Sequence, residues 1–173
     1  IAPFERWQAW EPSRNPQTVM PSCRSVVIVG RRILRGALRG VEEGTNFGST
    51  YAMFGMNWHE HTFLSRTIHQ VALFIENSGH EAMPLLGGGP SANGQASPPP
   101  CGRDSAVRLD YRHLAQAAGL GAIGKGGFFL TPRYGHRQRF GLVLTDARIE
   151  GDPPLTLDFC THCRACLEAC PLQ

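Results

Sequence analysis

No apolar run in the 173 residues reaches the length of a membrane span; the longest, "SVVIVG" and "FGLVL", fall far short of the roughly 20 residues a spanning helix needs. No membrane association is expected. The opening residues show no basic, apolar and small-residue cleavage pattern of a secretory leader. No internal repeat is visible. Charge is scarce as well: charged residues make up 18% of the chain and the net charge is +3, too little of one sign to imply nucleic acid. With 42% hydrophobic residues the composition is that of a globular protein, which excludes wholesale disorder. The length allows one ordinary core with a small satellite lobe. The chain opens on Ile1 rather than Met and stops three residues after a cysteine-rich run, so both ends are expected to be cut.

The six cysteines are unevenly placed. Cys23 and Cys101 stand alone, whereas Cys160, Cys163, Cys166 and Cys170 crowd into "CTHCRACLEACP". A disulfide scaffold spreads its cysteines to staple distant loops, and a chain with an ordinary core has little need of one. The cluster points instead to metal and to a reducing, cytoplasmic compartment. Its spacing, C-x2-C-x2-C-x3-C-P, is that of bacterial ferredoxins, where three thiolates wrap one 4Fe-4S cubane and the fourth serves another cluster. Structural zinc usually pairs two C-x2-C knuckles, and no second knuckle is visible. One or two 4Fe-4S clusters are therefore expected. The fourth ligand of the first cluster stays open: a second cysteine run beyond Gln173, Cys170 folded back, or Cys23 or Cys101.

The pattern along the chain reads as α+β. "CRSVVIVG" (23–30) is a short β-branched run typical of a buried strand. Residues 31–58 are glycine-rich and read as irregular. From His59 to Asn77 the apolar residues Leu64, Ile68, Val71 and Ile75 recur at helical spacing, and Asn77-Ser78-Gly79 supplies a stop. "HEAMPLL" reads as a strand that Pro84 confines to an edge or an end. Residues 87–102 are a linker or a mobile loop over a site, flexible Gly/Ser followed by three prolines. "DYRHLAQAAG" is a helix with Asp110 at its start and Gly119 at its stop. "FFLT" and "RFGLVLT" read as strands around the turn "PRYGHRQ", and "IAPFERWQAWEP" as part of a helix.

"AGLGAIGKGG" (118–127) satisfies G-x-G-x-x-G and nearly satisfies a P-loop. Both motifs require a strand before the glycines and a helix after them. Here a helix precedes and a strand follows, and Gly126 stands where a P-loop needs Ser or Thr. A nucleotide site is therefore not expected. Two readings remain: a tight turn, or a loop that lets its backbone approach a cofactor. The basic groups Arg31, Arg32, Arg35 and Arg39, and Arg133, His136, Arg137 and Arg139, are either solvated or the rim of a site for an anion. His59, His61 and His69 are either ligands for a metal or for cobalt or exposed helix residues, and the second reading is preferred.

The segment "HLAQAAGLGAIGKGGFFLTPRYGHRQRFGLVLTDARIEGDPP…FCTHCRACLEACP" resembles the epoxyqueuosine reductase and reductive dehalogenase superfamily, and within it the uncharacterised ferredoxin-like branch. The resemblance covers roughly residues 20–173 and is specific over 113–171. It implies a nitroreductase-like core over 1–150 and, from 151–173, the start of a ferredoxin-type lobe. It also implies a base-off cobalamin-type cofactor reduced by the clusters, with Gly121, Gly124, Lys125 and Gly126 meeting that cofactor. Asp104 matches the reductases' proton-donating acid by its offset from the glycines. An electron donor such as a ferredoxin or flavodoxin and a small or anionic substrate are the implied partners. The reductases' Arg-Asp-Tyr-His signature is absent, "TYAMFGMNWHEH" taking its place, so a nucleic-acid substrate is not expected. The alternative is a corrinoid-free ferredoxin-like electron-transfer or activator protein.

Overall fold

The computed structural model describes residues 1–86, 109–156 and 158–170. The stretch read as a linker or loop, 87–102, lies outside the described residues, as do Cys101 and Asp104.

β-Branched residues crowd the first long strand, β2 (Ser25–Arg32), and fit the pleated surface of a sheet. β2 pairs antiparallel along its full length with β6 (Gln138–Thr145), from Ser25 opposite Thr145 to Arg32 opposite Gln138. β3 (Ala82–Leu86) adds to the other side of β6, and β1 (Ala2–Pro3) to the outer side of β2, giving the order β1-β2-β6-β3. Pro84 sits on the edge strand, the place in a sheet where a residue without an N–H is tolerated.

Side chains alternate between two cores, as the period of two along a strand dictates. Val29 and Val143 face α2 (Ser65–Asn77), whose Ile68, Ala72 and Ile75 form the covering stripe. Val26, Leu142 and Leu144 face the opposite side, against Trp7, Leu109 and α3 (Tyr111–Ala117) through Leu114. The sheet is thus covered on both faces. Gly141 permits the close approach of α2: a Cβ there would lie 2.0 Å from Ile68 Cδ1.

Three segments differ from the sequence reading. Residues 31–58 are ordered: α1 (Arg35–Glu42) is followed by a wide helical segment, Gly48–Asn57. Its hydrogen bonds skip five residues, as from Ala52 N–H to the Phe47 carbonyl. The same geometry recurs over His59–Leu64 before tightening into α2. Glycines hid the helices over Arg35–Glu42 and Gly48–Asn57, since each weakens a helical pattern, whereas 59–64 lies within the stretch that already reads as helical. "IAPFERWQAWEP" holds only a single 3-10 turn, Phe4–Arg6, and no α-helix. The sheet edge takes its backbone instead: Ala2 pairs with Val26, Phe4 N–H donates to the Arg24 carbonyl, and Trp7 is wholly buried. "FFLT" and "RFGLVLT" are not partners either. β5 (Phe129–Leu130) pairs with β4 (Ala122–Ile123) in a separate two-stranded ribbon. Thr131 and Gly135 close the intervening turn by bonding to each other.

Candidate functional site: a glycine turn against the cysteine run

The glycine stretch divides into three parts with different tasks. Gly119 ends α3 at φ +74°, and a Cβ there would lie 2.2 Å from the Pro153 carbonyl oxygen. Gly121 lies against β5, with 2.1 Å from its built Cβ to the Leu130 carbonyl oxygen. Gly124 to Gly127 form the tip of the β4–β5 ribbon. There Gly124 N–H donates to the Phe128 carbonyl and Gly127 N–H to the Gly124 carbonyl.

That tip meets the cysteines. Lys125 donates its backbone N–H to Cys160 Sγ at 3.4 Å. A Cβ on Gly124 would stand 3.1 Å from Cys160 Sγ, and one on Gly126 3.9 Å from Cys166 Sγ. The Lys125 side chain is exposed. The cysteine run enters through Asp158, whose carboxylate accepts the N–H groups of Cys160 (3.1 Å) and Thr161 (2.9 Å). Cys166 rides on the single turn α4 (Ala165–Glu168), while Cys163 is exposed and Cys170 half-buried. Among the described residues no three Cys, His, Asp or Glu side chains are gathered into a metal-ligand set.

These residues fit an iron–sulfur group. Four thiols share one stretch at the surface, two of them face a turn whose missing side chains leave room beside the sulfurs, and a backbone N–H already points at one. N–H donation to cluster sulfurs is how proteins tune such centres. Cys23 does not fit. It is wholly buried in the core, and burial pushes its thiol up to about 11 despite hydrogen bonds at Thr145 and Ser25, so the neutral thiol prevails at neutral pH.

A polar strut ties the glycine turn to the core. Asp110 caps α3 by accepting Arg112 N–H at 2.9 Å, and grips the Arg112 guanidinium at 2.7 Å. Arg112 Nη1 in turn donates to the Gly127 carbonyl at 3.1 Å. Burial alone would raise the Asp110 carboxyl. The hydrogen bonds and charge of Arg112, with His113, outweigh it and hold the group below its ordinary value.

The sequence reading missed the roles of Asp158, Arg112 and His59. Asp158 had a signal, an Asx residue two positions ahead of Cys160; Arg112 had none, because its bond to Gly127 depends on the fold. His59 is a correction. It is 4% exposed rather than solvated, and its Nε2 meets the Arg32 carbonyl at 2.8 Å. His61 and His69 are exposed as expected. Of the basic groups, Arg35 and Arg39 pair with Glu42 and Glu43, and Arg139 with Glu60.

No family model matches the chain. Among curated relatives, epoxyqueuosine reductase of Gloeobacter violaceus is 30% identical over 168 residues, covering 96% of this chain and 46% of that protein. A 68-residue match to the Synechococcus epoxyqueuosine reductase reaches 43%, over 39% of this chain and 21% of the relative. Tetrachloroethene reductive dehalogenase of Desulfitobacterium hafniense is 28% identical over 64% of this chain and 17% of its own length. Among solved structures, epoxyqueuosine reductase from Streptococcus thermophilus superposes with a TM-score of 0.63 at 21% identity, over 96% of this chain and 42% of that one. Another, solved with a tRNA-Tyr epoxyqueuosine-modified stem loop, gives 0.56 at 17% identity, over 92% and 38%. The chain spans from 17% to 46% of the length of these curated relatives. The class defined is a mixed helix-and-sheet fold shared with proteins named as reductases. Its superfamily is that of the epoxyqueuosine reductases and reductive dehalogenases.

Proposed function

We propose that the chain is part of an iron–sulfur oxidoreductase that passes electrons from a 4Fe-4S centre to a cobalamin-type cofactor for reduction of a small or anionic substrate. The observation that carries this reading is the Lys125 N–H donated to Cys160 Sγ, on a turn whose glycines leave space beside two cysteine sulfurs. Cys160, Cys163, Cys166 and Cys170 would hold the iron. A cluster held there would supply one-electron transfer, and a corrinoid, if bound, a strongly reducing metal centre. The chain's own residues would hold the cysteines for it: Asp158 turns the backbone into the cysteine run, and Arg112 fixes the glycine turn opposite.

We infer a nitroreductase-like core over 1–150 and the start of a ferredoxin-type lobe over 151–173, with Gly121, Gly124, Lys125 and Gly126 toward the cofactor and Asp104 as proton donor. A reduced ferredoxin or flavodoxin is the inferred electron source, and the cytoplasm the inferred compartment. Among the described residues no helix is long and apolar enough to cross a membrane.

A second reading, a substrate carried on RNA, is favoured by one observation: a solved neighbour holds a tRNA stem loop. Steeply salt-dependent binding of such a stem loop by this chain would favour it over a free small molecule.

The experiment is anaerobic reconstitution with iron and sulfide, followed by metal and sulfide analysis and visible spectra with and without added cobalamin. Iron and sulfide in equal amounts with a cobalamin-dependent spectral change are expected. Cys163→Ser should abolish the cluster and Cys23→Ser should retain it. Zinc, or no metal, in oxygen-free preparations refutes the proposal, and cluster bands indifferent to cobalamin leave a corrinoid-free electron carrier.

A further inference from the structure

Beside the cysteines, two large apolar side chains face water. Phe128, which closes the glycine turn, is 60% exposed, and Leu167, on the turn α4, is 62% exposed. Single exposed apolar residues are ordinary. These two share one place. A Cβ built on Gly126 would lie 3.3 Å from Phe128 Cδ2 and 3.9 Å from Cys166 Sγ, so ring and thiol border the same gap, and Leu167 follows Cys166 directly. The His136 ring lies against Phe128 as well, the centroids 5.7 Å apart.

The charge around this apolar pair is mainly of one sign. From Tyr111 to Thr145 the chain carries no aspartate or glutamate, yet it carries Arg112, Lys125, Arg133, Arg137 and Arg139. Arg112 and Arg139 are paired, with Asp110 and Glu60. Lys125, the only lysine of the chain, turns its backbone to Cys160 and its side chain to solvent. Arg133 is exposed in the turn that leads to His136, and Arg164 is exposed at the start of α4. Among the described residues none of these three cations meets a carboxylate within ion-pair distance. The cysteine run answers with two carboxylates, Asp158 and Glu168, and Asp158 is engaged by the N–H groups of Cys160 and Thr161. An apolar centre with a cationic rim is the anatomy of an interface for an acidic partner: the rim steers the encounter and the dry centre holds it. Electron-transfer encounters use the smallest such interfaces, below about 1,200 Å² in total.

We propose that this face docks a small acidic electron-carrier protein, with Phe128 and Leu167 meeting its apolar centre and Lys125, Arg133 and Arg164 meeting its carboxylates. The inference rests on the iron–sulfur reading. One electron leaves the reduced centre of the carrier and enters the cluster beside Cys166, oxidising the first and reducing the second, and no proton moves. The probe is a plant-type 2Fe-2S ferredoxin, titrated calorimetrically into the iron–sulfur-loaded, cobalamin-free chain. Ovalbumin, acidic but without a redox group, and basic cytochrome c are the controls. Ferredoxin should bind at least about tenfold more tightly than either, and raising salt from about 0.05 to about 0.5 M should weaken it by at least about tenfold. Arg133→Glu and Phe128→Ser should each remove about tenfold while the cluster absorbance stays. Arg66→Glu, an exposed site on α2 across the sheet from α3, should change binding by less than about twofold. A carbodiimide, which joins amines to carboxylates, should link ferredoxin to Lys125. A chain that takes up no iron overturns both readings, and does so before any carrier is added. A loaded chain that binds ferredoxin no better than ovalbumin, that ignores salt, that loses binding with Arg66→Glu but not with Arg133→Glu and Phe128→Ser, or that buries this face by pairing with a second copy overturns the docking surface alone.

Discussion

From Gly141 to Thr145 every residue of β6 is buried, whereas from Asp158 to Cys170 none is. The two stretches show two ways for a sequence to specify structure. The strand is held by what it removes from water, at about 1.5–3 kcal/mol for each fully buried large side chain. The cysteine run has no core of its own. It holds one helical turn, too short to persist alone, and a few hydrogen bonds from Asp158 and the glycine turn. What would complete its structure is a ligand, because metal binding supplies folding free energy where burial does not. The largest expected effect follows directly. Leu144→Ala, at a site 0% exposed, should cost about 2–5 kcal/mol in urea unfolding of the iron-free chain. Cys163→Ser, exposed, should cost less than about 0.5 kcal/mol there. Comparable losses at the two sites would show that the run is part of the core after all, and the contrast would fail.

The same contrast explains what the sequence revealed. β2, α2, β3 and α3 were legible because each carries its burial pattern in the residues themselves, and Pro84 and Asp110 marked an edge and a cap. The wide helix over Gly48–Asn57 was not, since its glycines and its five-residue hydrogen-bond step break the 3.6 period. β4 escaped for a different reason, and β5, read as a strand within "FFLT", was given the wrong neighbour: two-residue strands are defined by their partner across space. In the candidate site the cysteines declared themselves by spacing. The glycine turn was readable as a place of close approach, but not what approaches it, because Cys160 lies 35 residues away along the chain. His59 was misread because local spacing set it on a solvated helix face, while the Arg32 carbonyl that fixes it belongs to β2.

The boundary between the two regions runs through the glycine turn, and two substitutions locate it. Gly121→Ala would press a methyl group into the Leu130 carbonyl oxygen, which no rotamer avoids, so the β4–β5 ribbon must shift at a cost of about 1–3 kcal/mol. Gly124→Ala meets only side-chain atoms, Leu130 Cδ1 at 2.9 Å and Cys160 Sγ at 3.1 Å. Because both can swing aside, chain stability should change by no more than about 1 kcal/mol. Retention of the cluster, followed by the decay of visible absorbance with a chelator present, should fall sharply. If Gly124→Ala instead unfolded the chain and spared the cluster, the turn would be a core element and nothing more.

A modest effect at Asp110 carries a pH signature. Asp110→Asn keeps a good helix cap, since Asn serves nearly as well as Asp, and removes the charge that grips Arg112. The native carboxyl is held below its ordinary value because the Arg112 bonds outweigh the opposing effect of burial. A depressed carboxylate adds stability that is whole above the unfolded value of about 3.9 and is lost as pH falls through the lower folded value. The substitution should therefore cost about 1 kcal/mol or less at pH 7, and the difference from the native chain should shrink steadily once pH drops below about 4. Urea unfolding at a series of pH values measures this, and a gap that stays constant into acid would show that the Arg112 contact contributes nothing through charge. Arg112 also holds the Gly127 carbonyl, so the same substitution should loosen the turn beside Cys160. A chain nearly as stable as the native one yet quicker to lose its cluster would mark this strut as the link by which the buried sheet steadies the exposed cysteines.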